Sequence, residues 1–149
     1  MVNNLTLTMT EEHEMLVKMV RDFAQNEIAP IAEEHDESGD FPLDTIKKMG
    51  GMGLMGIEVP EEYGGADMDT LAYVLTMIEV AKADASHSTI LSVNNSLYNF
   101  GLMKFGTEAQ KQTYLPKLCT GEHVGALAMS EAGSGSDVIS MSLKANKVD

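Results

Sequence analysis

The stretch "ALAMSEAGSGSD", residues 126–137, runs from a short apolar segment through Ser130 and Glu131 into a Gly-Ser-Gly-Ser loop that ends at Asp137. Its flanks decide how the fold is read. "HVGALAMS" (123–130) is small and apolar, and "VISMSLKANK" (138–147) sets Val138, Ser140 and Ser142 against Ile139, Met141 and Leu143. Compact apolar runs and period-two alternation read as strands, so the loop is expected to leave a strand end. Two strands are too few to stand alone.

Everything upstream reads as helix. Thr8 or Thr10 is placed to cap a helix whose first turn carries Glu11, Glu12 and Glu14, acids suited to the positive end of the helix dipole. Met15, Leu16, Met19, Val20 and Phe23 then form an amphipathic face. Pro30 bends or restarts the helix, which ends at Ser38-Gly39, and a short helix follows over 43–49. "GGMGLMGIEVPEEYGG" (50–65) holds too many glycines for a helix and is expected to cross the surface as a loop. From Asp69 a helix is expected with Leu71, Leu75 and Ile78 on one face. "SHSTILSVNNSLYNFGLMKFG" (86–106) is apolar on more than one side, as in a helix buried within a bundle. Thr107 and Gln110 form a capping box for a helix that loosens at Pro116 and stops before Gly121.

Composition narrows the function. The chain has 149 residues, about one domain. A formal charge of -13 with only 10 Lys and Arg argues against a nucleic-acid partner. Cys119 is the single cysteine, which excludes an intramolecular disulfide and fits a reducing compartment. The first residues lack the basic and apolar regions of an export signal, and no apolar run reaches the roughly 20 residues of a membrane span, so a cytoplasmic chain is expected. Twelve methionines read as flexible core filling. His87 and His123 have no ligand-spaced partners, and His13 and His35 are expected on solvated acidic faces, so no metal site is expected.

Gly133 and Gly135 let backbone come close to a ligand, while Ser130, Ser134 and Ser136 offer hydroxyls, a donor set that suits a phosphate or a flavin edge. Glycine and serine also dominate ordinary hairpin loops, and composition alone leaves both readings open. No Walker lysine follows, and no GxGxxG opens a helix.

"AMSEAGSGSDVIS" (128–140) resembles the signature of the acyl-CoA dehydrogenase family. "FP" (41–42), "MGLMGIEVPEEYGG" (52–65), "NSL" (95–97) and "FGTEAQKQTYLPKLCTGE" (105–122) resemble the same family in the same order, over nearly the whole chain. The resemblance implies a mostly α fold: an N-terminal all-helical bundle domain, residues 1–120, followed by the first strands of a middle β-barrel domain, residues 121–149. It implies FAD as cofactor, lined by residues 127–136. Leu127 and Ala128 lead into Met129 and Ser130 at the pyrimidine edge; Gly135 and Ser136 lie near the pyrophosphate, and Ser136 also meets the acyl-CoA thioester ligand. Thr89, Ile90 and Val93 lie along the acyl pocket, although as residues alone they read equally as bundle core. The family usually has proline where this chain has Ala132, a change that loosens the loop without abolishing binding.

The resemblance further implies α,β-desaturation of an acyl-CoA, with hydride passing to FAD and electron transfer flavoprotein as the oxidant, in a homo-oligomer, a tetramer at full length. "GALAMSE" resembles isovaleryl-CoA dehydrogenases and "SVNNSL" the short straight-chain enzymes. Glu131 resembles a structural residue, and the family's catalytic glutamate lies far downstream, so no catalytic residue is assigned within these 149 positions. The chain alone is expected to be inactive and to bind FAD weakly or not at all. The other readings are a related flavin monooxygenase or nitroalkane-oxidase-like enzyme, and a non-catalytic helical binding module.

Overall fold

A computed structural model describes residues 8–148. The reading of the first seven residues as lacking an export signal lies outside them.

Helix α1 (Glu11–Phe23) starts at Thr10, whose hydroxyl accepts the His13 N–H while His13 Nδ1 accepts the Thr10 N–H, a reciprocal box. That leaves His13 Nε2–H to donate to Asp69 Oδ1 at 2.9 Å. Asp69 caps α4 (Thr70–Ala83) by accepting the Ala72 N–H, so one histidine joins two helix starts. His13 is therefore buried, not on a solvated face as the sequence predicts. Leu16, Val20, Ala24 and Ile28 form the buried stripe, whereas Met15 is 66% exposed and Met19 41%. The spacing predicts a wider face, but α1 leans chiefly on α4 and only the narrow stripe is covered. Further along, Arg21 Nε and Nη2 grip both oxygens of Glu79 at 2.9 and 3.0 Å, and Lys82 adds a bond at 2.8 Å.

A π-helical turn, Ala24–Ile28, carries the chain into α2 (Ala29–Ser38) without a break, with Pro30 in the first turn of α2. Gly39, with φ of 72°, closes α2 in the left-handed conformation that glycine adopts freely. Helix α3 (Leu43–Gly51) buries Thr45, Ile46 and Met49.

The glycine-rich stretch after α3 departs from its predicted surface course. Leu54, Met55, Ile57 and Val59 are core residues, arranged through 3₁₀ turns at Leu54–Gly56 and Glu61–Tyr63. Glycines do break the helix here, but their second effect is close approach: a Cβ on Gly56 would collide with Cys119 Sγ. Helix α4 also turns the other way from prediction. Ala72, Thr76, Glu79 and Val80 face inward, while Leu71 and Leu75 are half-buried and Ile78 is 46% exposed. The His13, Arg21 and Lys82 contacts fix that rotation by engaging polar residues that periodicity places outside.

Helix α5 (Ala85–Ser92), a π-helical segment (Val93–Asn99) and α6 (Phe100–Phe105) form one continuous rod. Its buried side is largely polar, with His87, Ser88, Asn94, Asn95 and Asn99 inward, and Phe100 and Phe105 exposed. Helix α7 (Glu108–Cys119) has the expected Thr107–Gln110 box, runs through Pro116 and stops before Gly121, whose φ is 72°.

No strand forms among the described residues beyond Gly121. Glu131 and Ser134 exchange two backbone bonds of 2.9 and 3.1 Å, and Val138–Ser140 is a 3₁₀ turn. The alternating pattern predicts strands, but a ladder requires a partner, and among the described residues from 121 to 148 none pairs in one. Ile139 and Leu143 consequently stand 93% and 87% exposed. The described structure is the helical domain followed by an unpaired segment.

Candidate functional site

Thr89, Ile90 and Val93 lie one turn apart on the rod and come together on one wall of a shallow groove of about 350 Å³. Phe41, Val124, Gly125 and Ala126 line the rest of it. The Thr89 hydroxyl donates to the Ala85 carbonyl at 2.9 Å, so it makes no demand on an occupant. The groove is thus almost wholly apolar and suits a hydrocarbon segment. A second cavity of about 450 Å³ adjoins it, sharing Phe41, Thr89 and Ile90 and lined by His35, Asp36, Asp40, Asp84 and His87. There the fully buried His87 reaches Asp84 Oδ2 at 2.6 Å and Thr45 Oγ1 at 3.1 Å, fastening α5 to α3 beside the groove. Among the described residues no cluster of histidine, cysteine and carboxylate residues is arranged to hold a metal ion.

The groove wall runs directly into the loop at 127–137. Leu127 to Ser130 are exposed, as are Gly135 and Ser136, and a Cβ on Gly133 or Gly135 would meet open space. Ser134 is instead buried, its hydroxyl spent on the Asp137 carbonyl. Ser130 and Ser136 keep their hydroxyls free among the described residues, and the loop's backbone bonds are the Glu131–Ser134 pair and the Ser140 N–H to the Asp137 carbonyl, leaving the N–H groups of Gly133, Gly135 and Ser136 available. Such a set of uncommitted donors fits a pyrophosphate or a heterocycle edge.

Glu131 has a different task. Its carboxylate accepts the N–H groups of Ser142 and Leu143 at 2.9 and 2.8 Å and the Ser142 hydroxyl at 3.2 Å. These donors, the Ser142 N–H foremost, hold its carboxyl below the usual range. An acid committed to backbone 11 positions downstream anchors the loop and is poorly disposed to take a proton.

Three residues that the spacing arguments did not single out hold this region together. Asn94 donates to the Met55 carbonyl at 2.7 Å and accepts the Gly125 N–H at 2.9 Å. Asn95 accepts the Ile57 N–H and donates to the Leu54 and Leu91 carbonyls; Asn99 donates to the Met55 carbonyl. The signal was legible: asparagines inside an otherwise apolar helical run must find buried partners.

Residues 10–122 match the family described as acyl-CoA dehydrogenase, N-terminal domain. The chain belongs to the acyl-CoA dehydrogenase family. It is 48% identical over 138 residues to an acyl-CoA dehydrogenase of Bacillus subtilis, a match covering 93% of this chain and 36% of the relative. It is 46% identical over 132 residues to the human mitochondrial short-chain specific acyl-CoA dehydrogenase, covering 89% of this chain and 32% of that one. The butyryl-CoA dehydrogenase structure from Megasphaera elsdenii superimposes with a TM-score of 0.82 at 32% identity, over 90% of this chain and 36% of that one. The chain therefore spans about a third of the length of these relatives.

Proposed function

We propose that this chain is the N-terminal part of an FAD-dependent acyl-CoA dehydrogenase that desaturates a short or branched acyl-CoA. The observation that supports it most is the juxtaposition of an apolar groove with a donor-rich loop: Thr89, Ile90 and Val93 line the groove with Val124–Ala126, and the next residues are the signature. In this reading the groove takes the acyl chain, and Ser136 meets the thioester ligand. Leu127, Ala128, Met129, Ser130, Gly135 and Ser136 would hold FAD, which would supply a hydride acceptor there. The base for the α-proton lies beyond residue 149, because Glu131 is committed to Ser142 and Leu143. Residues 121–149 open a β-barrel domain whose strands form when later strands pair with them.

The similarity to short-chain specific and butyryl-CoA enzymes supports a short chain. Electron transfer flavoprotein is the proposed oxidant and a homo-oligomer the proposed assembly. A non-catalytic binding module remains the second reading, favoured by the exposed apolar side chains of Phe105, Ile139 and Leu143. The two readings separate on the intact mass of the protein captured from its own cells, followed by an acyl-CoA-dependent dye-reduction assay. A mass far above 16.1 kDa with butyryl-CoA-dependent reduction supports the dehydrogenase; a 16.1 kDa product without turnover supports the module.

A further inference from the structure

Asn94, Asn95 and Asn99 sit in a π-helical segment, Val93–Asn99, whose first residue lines the groove. Single π turns alter which side chains share a face and recur at functional sites. Here Val93 lines the groove while its neighbour Asn94, 0% exposed, reaches away from it. The Asn94 amide touches segments far apart in sequence: its Nδ2 donates to Met55 O at 2.7 Å, and its Oδ1 accepts from Gly125 N at 2.9 Å. Gly125 is also the residue that could not be anything larger, because a Cβ there would collide with the Tyr98 ring. Both walls of the groove thus depend on one rod: Val93 supplies one directly, and Asn94 and Tyr98 fix the other through Gly125.

We propose that Asn94 is a positioning residue. Through Gly125 it sets the register of Val124–Ala126 against Ile90 and Val93, and so the width of the groove and the starting point of the loop that follows. The proposal rests on the acyl-groove reading for its functional meaning, but the positioning itself is independent of any ligand.

Hydrogen exchange in the ¹⁵N-labelled chain tests it. Asn94→Ala is expected to speed exchange of the Gly125 N–H about tenfold beyond the change at Val20 and Leu115, whose amides report global opening. Asn95→Ala removes another buried amide from the same π segment but should speed Gly125 only in step with those reporters. Asn94→Asp keeps an oxygen for the Gly125 N–H while losing the donor to the Met55 carbonyl, so Gly125 should exchange more slowly than in Asn94→Ala once each is referred to Val20 and Leu115. Gly125→Ala covers the case in which Asn94→Ala fails to fold: with Asn94 intact, the collision with Tyr98 should shift the Val124 and Ala126 amides. Equal acceleration of Gly125 in both asparagine variants, no rescue by Asn94→Asp, or unmoved Val124 and Ala126 amides in Gly125→Ala would overturn the proposal. Butyryl-CoA titrated into the wild-type chain separates the two ideas. Failure to perturb Ile90 and Val93 counts against the groove reading, whereas the exchange pattern decides the positioning role.

Discussion

Replacing Asn95 by alanine tests the interior course of residues 54–57. Asn95 Oδ1 is the acceptor for the Ile57 N–H at 3.0 Å, and its Nδ2 serves the Leu54 carbonyl at 3.0 Å. Leu54 and Ile57 are each 1% exposed, so truncation orphans two buried backbone groups. Each orphaned group costs about 1–3 kcal/mol, a total of about 2–6 kcal/mol, with the lower end set by a water entering the vacated space. Against a stability of roughly 5–15 kcal/mol for a typical domain, that is a large share. Urea denaturation followed by circular dichroism at matched slope reads it directly. Ser96→Ala serves as the control, because that hydroxyl bonds only the Ser92 carbonyl of its own helix. A loss below about 1 kcal/mol for Asn95→Ala, or one no larger than the control, would refute the claim that this side chain satisfies a buried loop.

Other outcomes follow from the same structure. Glu79, 6% exposed, is held by its bonds to Arg21 and then Lys82 at a pKa lowered from 4.5 to about 2 despite its burial. A folded value below the unfolded one stabilises above the unfolded pKa, so stability should fall as pH drops from 4.5 toward 2; Glu79→Gln should flatten that fall in the urea midpoint, and an unchanged slope would contradict the assignment. Burial pushes the Cys119 thiol up to about 11, so iodoacetamide at pH 8 should label it far more slowly in the native chain than in urea. Equal rates would place the thiol at the surface. Gly56→Ala drives a methyl into Cys119 and should cost about 1–3 kcal/mol, partly recovered by Cys119→Ala; a neutral substitution would mean that the two segments are not in contact.

The parts of the fold that local chemistry controls were legible in the sequence. The Thr107–Gln110 box, the stop at Gly39 and the rod from Ala85 all stand where propensity and capping predict. What periodicity missed has a common cause: polar side chains with distant partners. His13 is buried because Asp69 awaits it across 56 positions, and α4 faces inward through Glu79 because Arg21 neutralises it. Residues 54–57 go inside because three asparagines satisfy their backbone. None of these partnerships leaves a mark in a hydrophobic pattern. The strands expected at 123–130, from a compact apolar run, and at 138–147, from alternation, are a different case, since pairing is not local.

The candidate site divides in the same way. The apolar positions Thr89, Ile90 and Val93 were named from family resemblance, and the structure brings them to one groove with Val124–Ala126. Asn94, which ties those walls together, was visible only as a polar residue in an apolar run. Glu131, which the family resemblance gave as a structural residue, anchors its own loop through the downstream Ser142 and Leu143 amides.

The most direct test of the central claim is an NMR titration of the chain with butyryl-CoA, with free coenzyme A as reference. If the groove accepts an acyl chain, Ile90, Val93 and Ala126 should show the largest saturating shifts with butyryl-CoA and little response to coenzyme A. Equal responses to both compounds, or shifts concentrated away from those residues, would contradict the account.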